Sequence, residues 1–145
     1  MQDSKIIVFK LENQLFAADI LPIQEILLPK EPVKVPNNPS FIEGVIDNRG
    51  QVIPVLDLKK RFGLGDTQLK KEARLIVAEI GTKKIAFAVD AVLEITNAEK
   101  QQIEKAPEMV KINKEYIAGI VRLNTGLIVL LDLLKVLTVD EQDLI

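Results

Sequence analysis

Apolar residues along this chain arrive in short, dense runs rather than at helical spacing. Runs at Ile6 to Leu11, Leu15 to Ile20, Gly44 to Ile46, Gln51 to Leu56, Leu75 to Ile80, Ile85 to Val89, Ile117 to Val121 and Leu127 to Leu131 are rich in Ile, Val and Leu. Turn-forming residues bound them, which predicts strands. The runs are near-continuously apolar instead of alternating, as in strands covered on both faces. Within each cluster their starts fall roughly 8–12 residues apart, the spacing of a barrel or sandwich. Pro54 has no N–H to donate and predicts an edge position or a bulge for its strand. Helical signals are brief: Asp57 to Phe62, with Asp57 as N-cap and Gly63 as stop, and a second such turn over Asp132 to Leu137. Pro29, Pro32, Pro36 and Pro39 make the arm between the first strands an extended connector. The acidic end, 139–145, is expected to fray.

The pattern occurs twice. Shifted by 75 residues, FIEGVIDNRGQVIPVLDL (41–58) falls on YIAGIVRLNTGLIVLLDL (116–133) without a gap. Ile42, Gly44, Ile53, Leu56, Asp57 and Leu58 meet identical residues at Ile117, Gly119, Ile128, Leu131, Asp132 and Leu133. Upstream, residues 7–26 resemble 76–95, with a shared FA-x-D that requires a small internal shift. One strand-rich lobe therefore occurs twice in a single domain, over about 14–70 and 71–138 by sequence. Each copy is too small for a large core of its own, so the two are expected to share apolar surface and leave a groove at their junction.

Composition narrows the class. Hydrophobic residues make up 48% and charged residues 28%, a globular balance, and 4% aromatics leave the core to Ile, Leu and Val. Cysteine and histidine are both absent, which removes disulfides, thiolate chemistry, the commonest metal ligand and the commonest general base. The net charge of -2 implies no basic face for nucleic acid. The longest apolar run, Leu127 to Leu131, is far short of a membrane span, and the N-terminus lacks a leader pattern, so a cytoplasmic protein is expected. No phosphate-loop, dinucleotide, nucleophile-elbow or calcium-loop motif occurs. Asp57 and Asp132 read as caps, and no catalytic constellation or cofactor is indicated; a binding module is the expectation.

Arg49 stands out. Its repeat counterpart is Asn124, and Asp47-Asn48 fall on Arg122-Leu123, so the scaffold repeats while the turn residues differ. A turn does not require arginine.

The span FIEGVIDNRGQVIPVLDLKKRFGL resembles the signature of the CheW family of bacterial chemotaxis coupling proteins. That signature runs Pro-x-x-x-x-Gly-Val-Ile-Asn-Leu-Arg-Gly, then Ile-Pro-Val-x-Asp-Leu and a short basic helix, and Pro39 through Gly63 follows it. FAADILPIQEIL, FAVDAVLEI, IEKAPE and YIAGIVR extend the likeness over roughly residues 5 to 138. The resemblance implies a mainly β fold of two pseudo-symmetric, SH3-like five-stranded barrels. It also implies a non-catalytic adaptor between the cytoplasmic tips of methyl-accepting chemoreceptors and the regulatory domain of the chemotaxis histidine kinase. Membrane association would then be indirect, through receptors.

By the same resemblance Arg49 and Glu25 face each other at the receptor groove, with Ile23, Gly44 and Ile95 on that surface. Leu28 and Val33 fall on a kinase-facing edge, and Met109 on a second kinase face. The resemblance has two departures: Asp47-Asn48 replaces Asn-Leu in the signature, which offers Asp47 as a rival partner for Arg49, and Glu104, by the second kinase face, stands where a basic residue is common. A coupling protein of a pilus-type pathway is the alternative, and a ligand- or RNA-binding barrel a more distant one, since the few aromatics lie mostly at strand positions.

Overall fold

A computed structural model describes residues 4–107 and 114–145. Eleven strands run in chain order: β1 Ser4–Leu11, β2 Gln14–Asp19, β3 Ile23–Leu27, β4 Gly44–Asn48, β5 Gln51–Asp57, β6 Arg74–Ile80, β7 Lys83–Val89, β8 Ala91–Ala98, β9 Ile103–Glu104, β10 Ile117–Leu123 and β11 Gly126–Leu131. Two four-residue helices, α1 Leu58–Arg61 and α2 Val139–Gln142, and three 3-10 turns complete the described chain. The fold is mainly β, as the sequence pattern predicts.

The strands form two sheets. One has the order β3-β6-β7-β5-β4 and is called here the first lobe; the second lobe has the order β8-β1-β2-β11-β10-β9. The lobes are assembled across the repeat instead of along it. The β1–β2 hairpin of the first copy lies in the second lobe, and the β6–β7 hairpin of the second copy lies in the first. So β2 falls within 14–70 by sequence but joins the second lobe, while β6 and β7 fall within 71–138 and join the first. Registers agree strand for strand: Leu75 pairs with Ala88 as Ile6 pairs with Asp19, and Val55 with Ala86 as Leu130 with Ala17. In this register the FA-x-D match is out of step by two residues; the hairpins correspond without a shift, Leu11 and Gln14 closing one as Ile80 and Lys83 close the other.

Exchanged hairpins explain the unbroken apolar runs. On β1, Ile7, Phe9 and Leu11 face a core shared by both lobes, while Ile6 and Val8 face the interior of the second lobe. The first lobe has its own interior around Ile46, Ile53, Val55, Leu75 and Val77. Period-2 alternation thus divides each central strand between two apolar layers, and both faces must be hydrophobic.

Three expectations change. The strand of Pro54 is interior, between β4 and β7. Pro54 pairs with Val45, whose own N–H and carbonyl bond to Val33, and the ladder to β7 begins only at Val55, so no N–H is needed at Pro54. The turn after Asp132 is a 3-10 segment, Leu133–Lys135, with Asp132 Oδ1 accepting from the Leu134 N–H at 3.0 Å. The acidic end does not fray: it forms α2, Glu141 binds Arg61, and Lys83 Nζ donates to the Gln142 carbonyl at 2.6 Å. Strands β3, β8 and β9 were not foreseen, because each is an edge or near-edge element with exposed polar positions instead of an unbroken apolar run.

Candidate functional site

The β4–β5 hairpin closes on a two-residue turn, Arg49-Gly50, between Asn48 and Gln51. Both turn residues have positive φ, 55° at Arg49 and 79° at Gly50, the geometry of a type I′ turn. Glycine and asparagine favour that conformation; for arginine it costs about 1 kcal/mol. The turn is therefore formed despite Arg49, not by means of it.

From this tip the guanidinium reaches β3. Arg49 Nη2 lies 3.1 Å from Glu25 Oε2, and Asn48 Nδ2 donates to the other oxygen, Glu25 Oε1, at 2.6 Å. Strands β3 and β4 are the opposite edges of the first-lobe sheet, so this cluster closes the barrel where its edges meet. The Arg49 side chain is 81% exposed and that of Glu25 only 22%. The carboxylate is held and half-covered, whereas the guanidinium keeps most of its donors free toward solvent. Asp47 does not compete: among the described residues the Arg49 ion pair is with Glu25 and not with the Asp47 carboxylate, while the Asp47 backbone carbonyl accepts from Lys30 Nζ at 2.8 Å. Asn48 supplies Glu25 with a second donor.

The other candidates fall into separate places. Val33 and Gly44 are together: Val33 exchanges backbone hydrogen bonds with Val45, and a Cβ on Gly44 would collide with the Val33 carbonyl. Gly44 is buried and lets the proline-rich arm lie against β4, while the Val33 side chain points outward, as does that of Leu28. Ile23 is half-buried against the shared core. Ile95 lies on β8 in the second lobe, 49% exposed, in the place that Ile26 takes in the first. Met109 lies outside the described residues. Glu104 pairs with Arg122 at 3.1 Å, so its negative charge has a partner within the chain.

Two structural clusters escaped sequence reading. Arg61 lies under the rings of Phe41 and Tyr116, which are repeat counterparts, and donates to both oxygens of Glu141. Those hydrogen bonds raise the Arg61 pKa against the opposing effect of burial, and lower that of Glu141. Lys59, almost fully buried, binds Glu12 and Asp90; burial pulls its pKa down, but the two carboxylates outweigh it and the net shift is upward. A polar cleft of about 610 Å³ beside Lys59, lined also by Lys10, Asp66 and Glu72, contains none of the candidate residues. Among the described residues no group of His, Cys, Asp or Glu is placed to hold a metal ion.

Comparison with known proteins decides the family. The model of the CheW-like domain matches residues 5–141. The chain belongs to the CheW-like domain family. It is similar to the chemotaxis protein CheW of Klebsiella aerogenes, 31% identical over 96% of this chain and 84% of that protein. It is also similar to the CheW of Bacillus subtilis, 32% identical over 74% of this chain and 69% of that one. The crystal structure of scaffolding protein TtCheW from Thermoanaerobacter tengcongensis superposes with a TM-score of 0.86 at 36% identity, covering 97% of this chain and 96% of that one. The chain is thus a chemotaxis coupling and scaffolding protein of a non-catalytic family, with the two-sheet CheW fold. No described helix is long and apolar enough to cross a membrane.

Proposed function

We propose that the chain joins the cytoplasmic tips of chemoreceptors to the regulatory domain of the chemotaxis histidine kinase, and works in the cytoplasm at membrane-associated receptor arrays. The observation that carries this reading is the tip of the β4–β5 hairpin. An arginine in a left-handed conformation stands at a position where glycine would fold better, and its charge is presented beside a half-covered glutamate.

In this mechanism Glu25 and Asn48 fix the direction of the guanidinium, and the donors left exposed on Arg49 bind a receptor carboxylate or carbonyl in charge-assisted hydrogen bonds. Ile23 and Ile95 supply apolar contact for the receptor hairpin. Leu28 and Val33, both exposed, belong to the kinase-facing edge, with Met109 on a second kinase face. An exposed ion pair contributes at most about 1 kcal/mol to folding. Arg49→Ala should therefore leave the fold intact while reducing co-sedimentation with receptor-containing membranes and kinase by roughly tenfold or more, as for a charged contact buried on binding. Unchanged assembly and unchanged kinase control would refute the proposal.

A further inference from the structure

The two lobes carry the same cavity, and the chain covers only one of them. In the first lobe Glu43, Val55, Asp57, Leu75 and Ala88 line a cavity of about 200 Å³. Their repeat counterparts Ala118, Leu130, Asp132, Ile6 and Asp19 line one of about 240 Å³ in the second lobe. The equivalence rests on the shared strand registers, not on sequence likeness alone.

The remaining walls differ. In the first lobe the proline-rich arm contributes Lys30, Glu31, Pro32 and Lys34, and the segment following α1 returns across the cavity and contributes Thr67 and Leu69. Asp57 is buried and saturated there. Its Oδ1 accepts from the Lys59 N–H at 3.1 Å and from the Thr67 hydroxyl at 2.6 Å, and its Oδ2 accepts from the Thr67 N–H at 2.7 Å. In the second lobe Asp132 Oδ1 accepts from the Leu134 N–H, and Oδ2 accepts no hydrogen bond from the described residues. Leu21, Pro22 and Leu134 form an apolar rim in place of the returning segment, with Leu21 86% exposed. Lys30 and Lys34 of the first-lobe wall have no cationic counterpart in the second, and Leu134 stands at the repeat position of Lys59, which in the first lobe turns away to Glu12 and Asp90. The charged residues lining this cavity are Asp19 and Asp132, both acidic.

We propose that the second-lobe cavity is a docking site for an extended segment of a partner protein that carries a threonine or serine, an apolar residue two positions on, and a basic flank. The segment binds Asp132 as Thr67 binds Asp57: its N–H donates to Oδ2, its hydroxyl donates to Oδ1, and its apolar side chain covers Leu21 and Leu134. A carboxylate oxygen removed from bulk water without a donor is costly, so a donor brought by the partner is favoured. The acidic lining complements a basic flank, and the chain's own occupant continues into Lys70 and Lys71. The site lies in the other lobe from Arg49 and does not depend on the receptor contact proposed above.

The test is a titration of the isotope-labelled full chain, followed by amide NMR, with the acetylated and amidated peptide Gly-Asp-Thr-Gln-Leu-Lys-Lys. In the first lobe this sequence is tethered at an effective concentration of the order of millimolar, so the free peptide is taken to about 5 mM. Expected are shifts at Leu21, Ala118 and Leu134, weakened about tenfold when valine replaces the peptide threonine or when Asp132→Asn is made in the chain. Asparagine caps a helical turn as well as aspartate does, so this variant keeps the fold. Leu134→Lys, which removes an apolar rim residue and sets a cation beside the peptide's basic flank, should also weaken binding. Three results would overturn the proposal: no shifts at this concentration, shifts confined to Asp57 and Thr67, or equal binding by the valine peptide. Concentration-dependent shifts of the same amides without peptide would assign the cavity to a second copy of the chain, and would overturn it too.

Discussion

The β4–β5 and β10–β11 hairpins are one design built twice, with different tips. Ile46 opposes Ile53 as Val121 opposes Ile128, and Gly44 opposes Val55 as Gly119 opposes Leu130. At the tips the likeness ends. The second hairpin turns through Asn124-Thr125, neither with positive φ, although asparagine tolerates the left-handed region better than arginine does. The first hairpin puts Arg49 in that region and couples it to Glu25. Glu94 occupies the place of Glu25 in the second lobe and makes no ion pair among the described residues. Folding is satisfied by either tip. The difference singles out Arg49, the residue that the proposed receptor contact uses.

The largest disturbance should come from Arg61, the residue that makes the lobe junction asymmetric. It fills the space between Phe41 and Tyr116 and holds α2 through Glu141, while its own counterpart, Val136, is in the core. Arg61→Ala is expected to destabilise the protein by about 3 kcal/mol in urea unfolding, because a mostly buried ion pair and two ring contacts go together. A loss below that of an exposed ion pair would show that the lobes dock without this knot.

The paired glycines give a smaller and more discriminating effect. A Cβ on Gly44 meets the Val33 backbone, and one on Gly119 would lie 2.7 Å from the Glu104 carbonyl oxygen. Each alanine variant should cost about 2 kcal/mol, since backbone must move in both. Gly44→Ala should also release the proline-rich arm, seen as faster hydrogen exchange at the Val33 and Val45 amides. Equal exchange in the two variants would mean that the arm is held by something else.

Acid should loosen the docking of the carboxyl-terminal helix. The Glu141 pKa is lowered in the folded state by its hydrogen bonds to Arg61, so its contribution is complete above the ordinary glutamate pKa and is lost as pH falls through the lowered value. Tyr116 fluorescence, or the amide signals of α2, should report undocking across that acidic window and not at neutral pH. In Glu141→Gln this transition should disappear.

Much of this was legible beforehand, and the reasons for the misses are physical. The central strands announced themselves because both of their faces are apolar. The exchange of hairpins between lobes did not, since a repeat read along the chain does not say which copy a strand will pair with. Edge strands β3 and β8 were missed because their alternation is weak, and the docked tail because the attraction of Arg61 for Glu141 joins residues distant in sequence. At the site, Arg49 and Glu25 were found by family likeness and are in contact. Asn48, which read only as a turn residue, completes the cluster through a hydrogen bond no spacing rule would reveal.

The central claim is that Arg49 is held in strain for a partner. It is tested most directly by comparing Arg49→Gly with Asn124→Gly, measuring stability and co-assembly with receptor and kinase on the same samples. Glycine relieves the left-handed turn, so Arg49→Gly should leave stability unchanged or raise it by up to about 1 kcal/mol, allowing for the lost exposed ion pair, while assembly falls steeply. Asn124→Gly should assemble normally. Equal assembly by the two variants, or loss of assembly that merely follows loss of stability in Arg49→Gly, would contradict the claim.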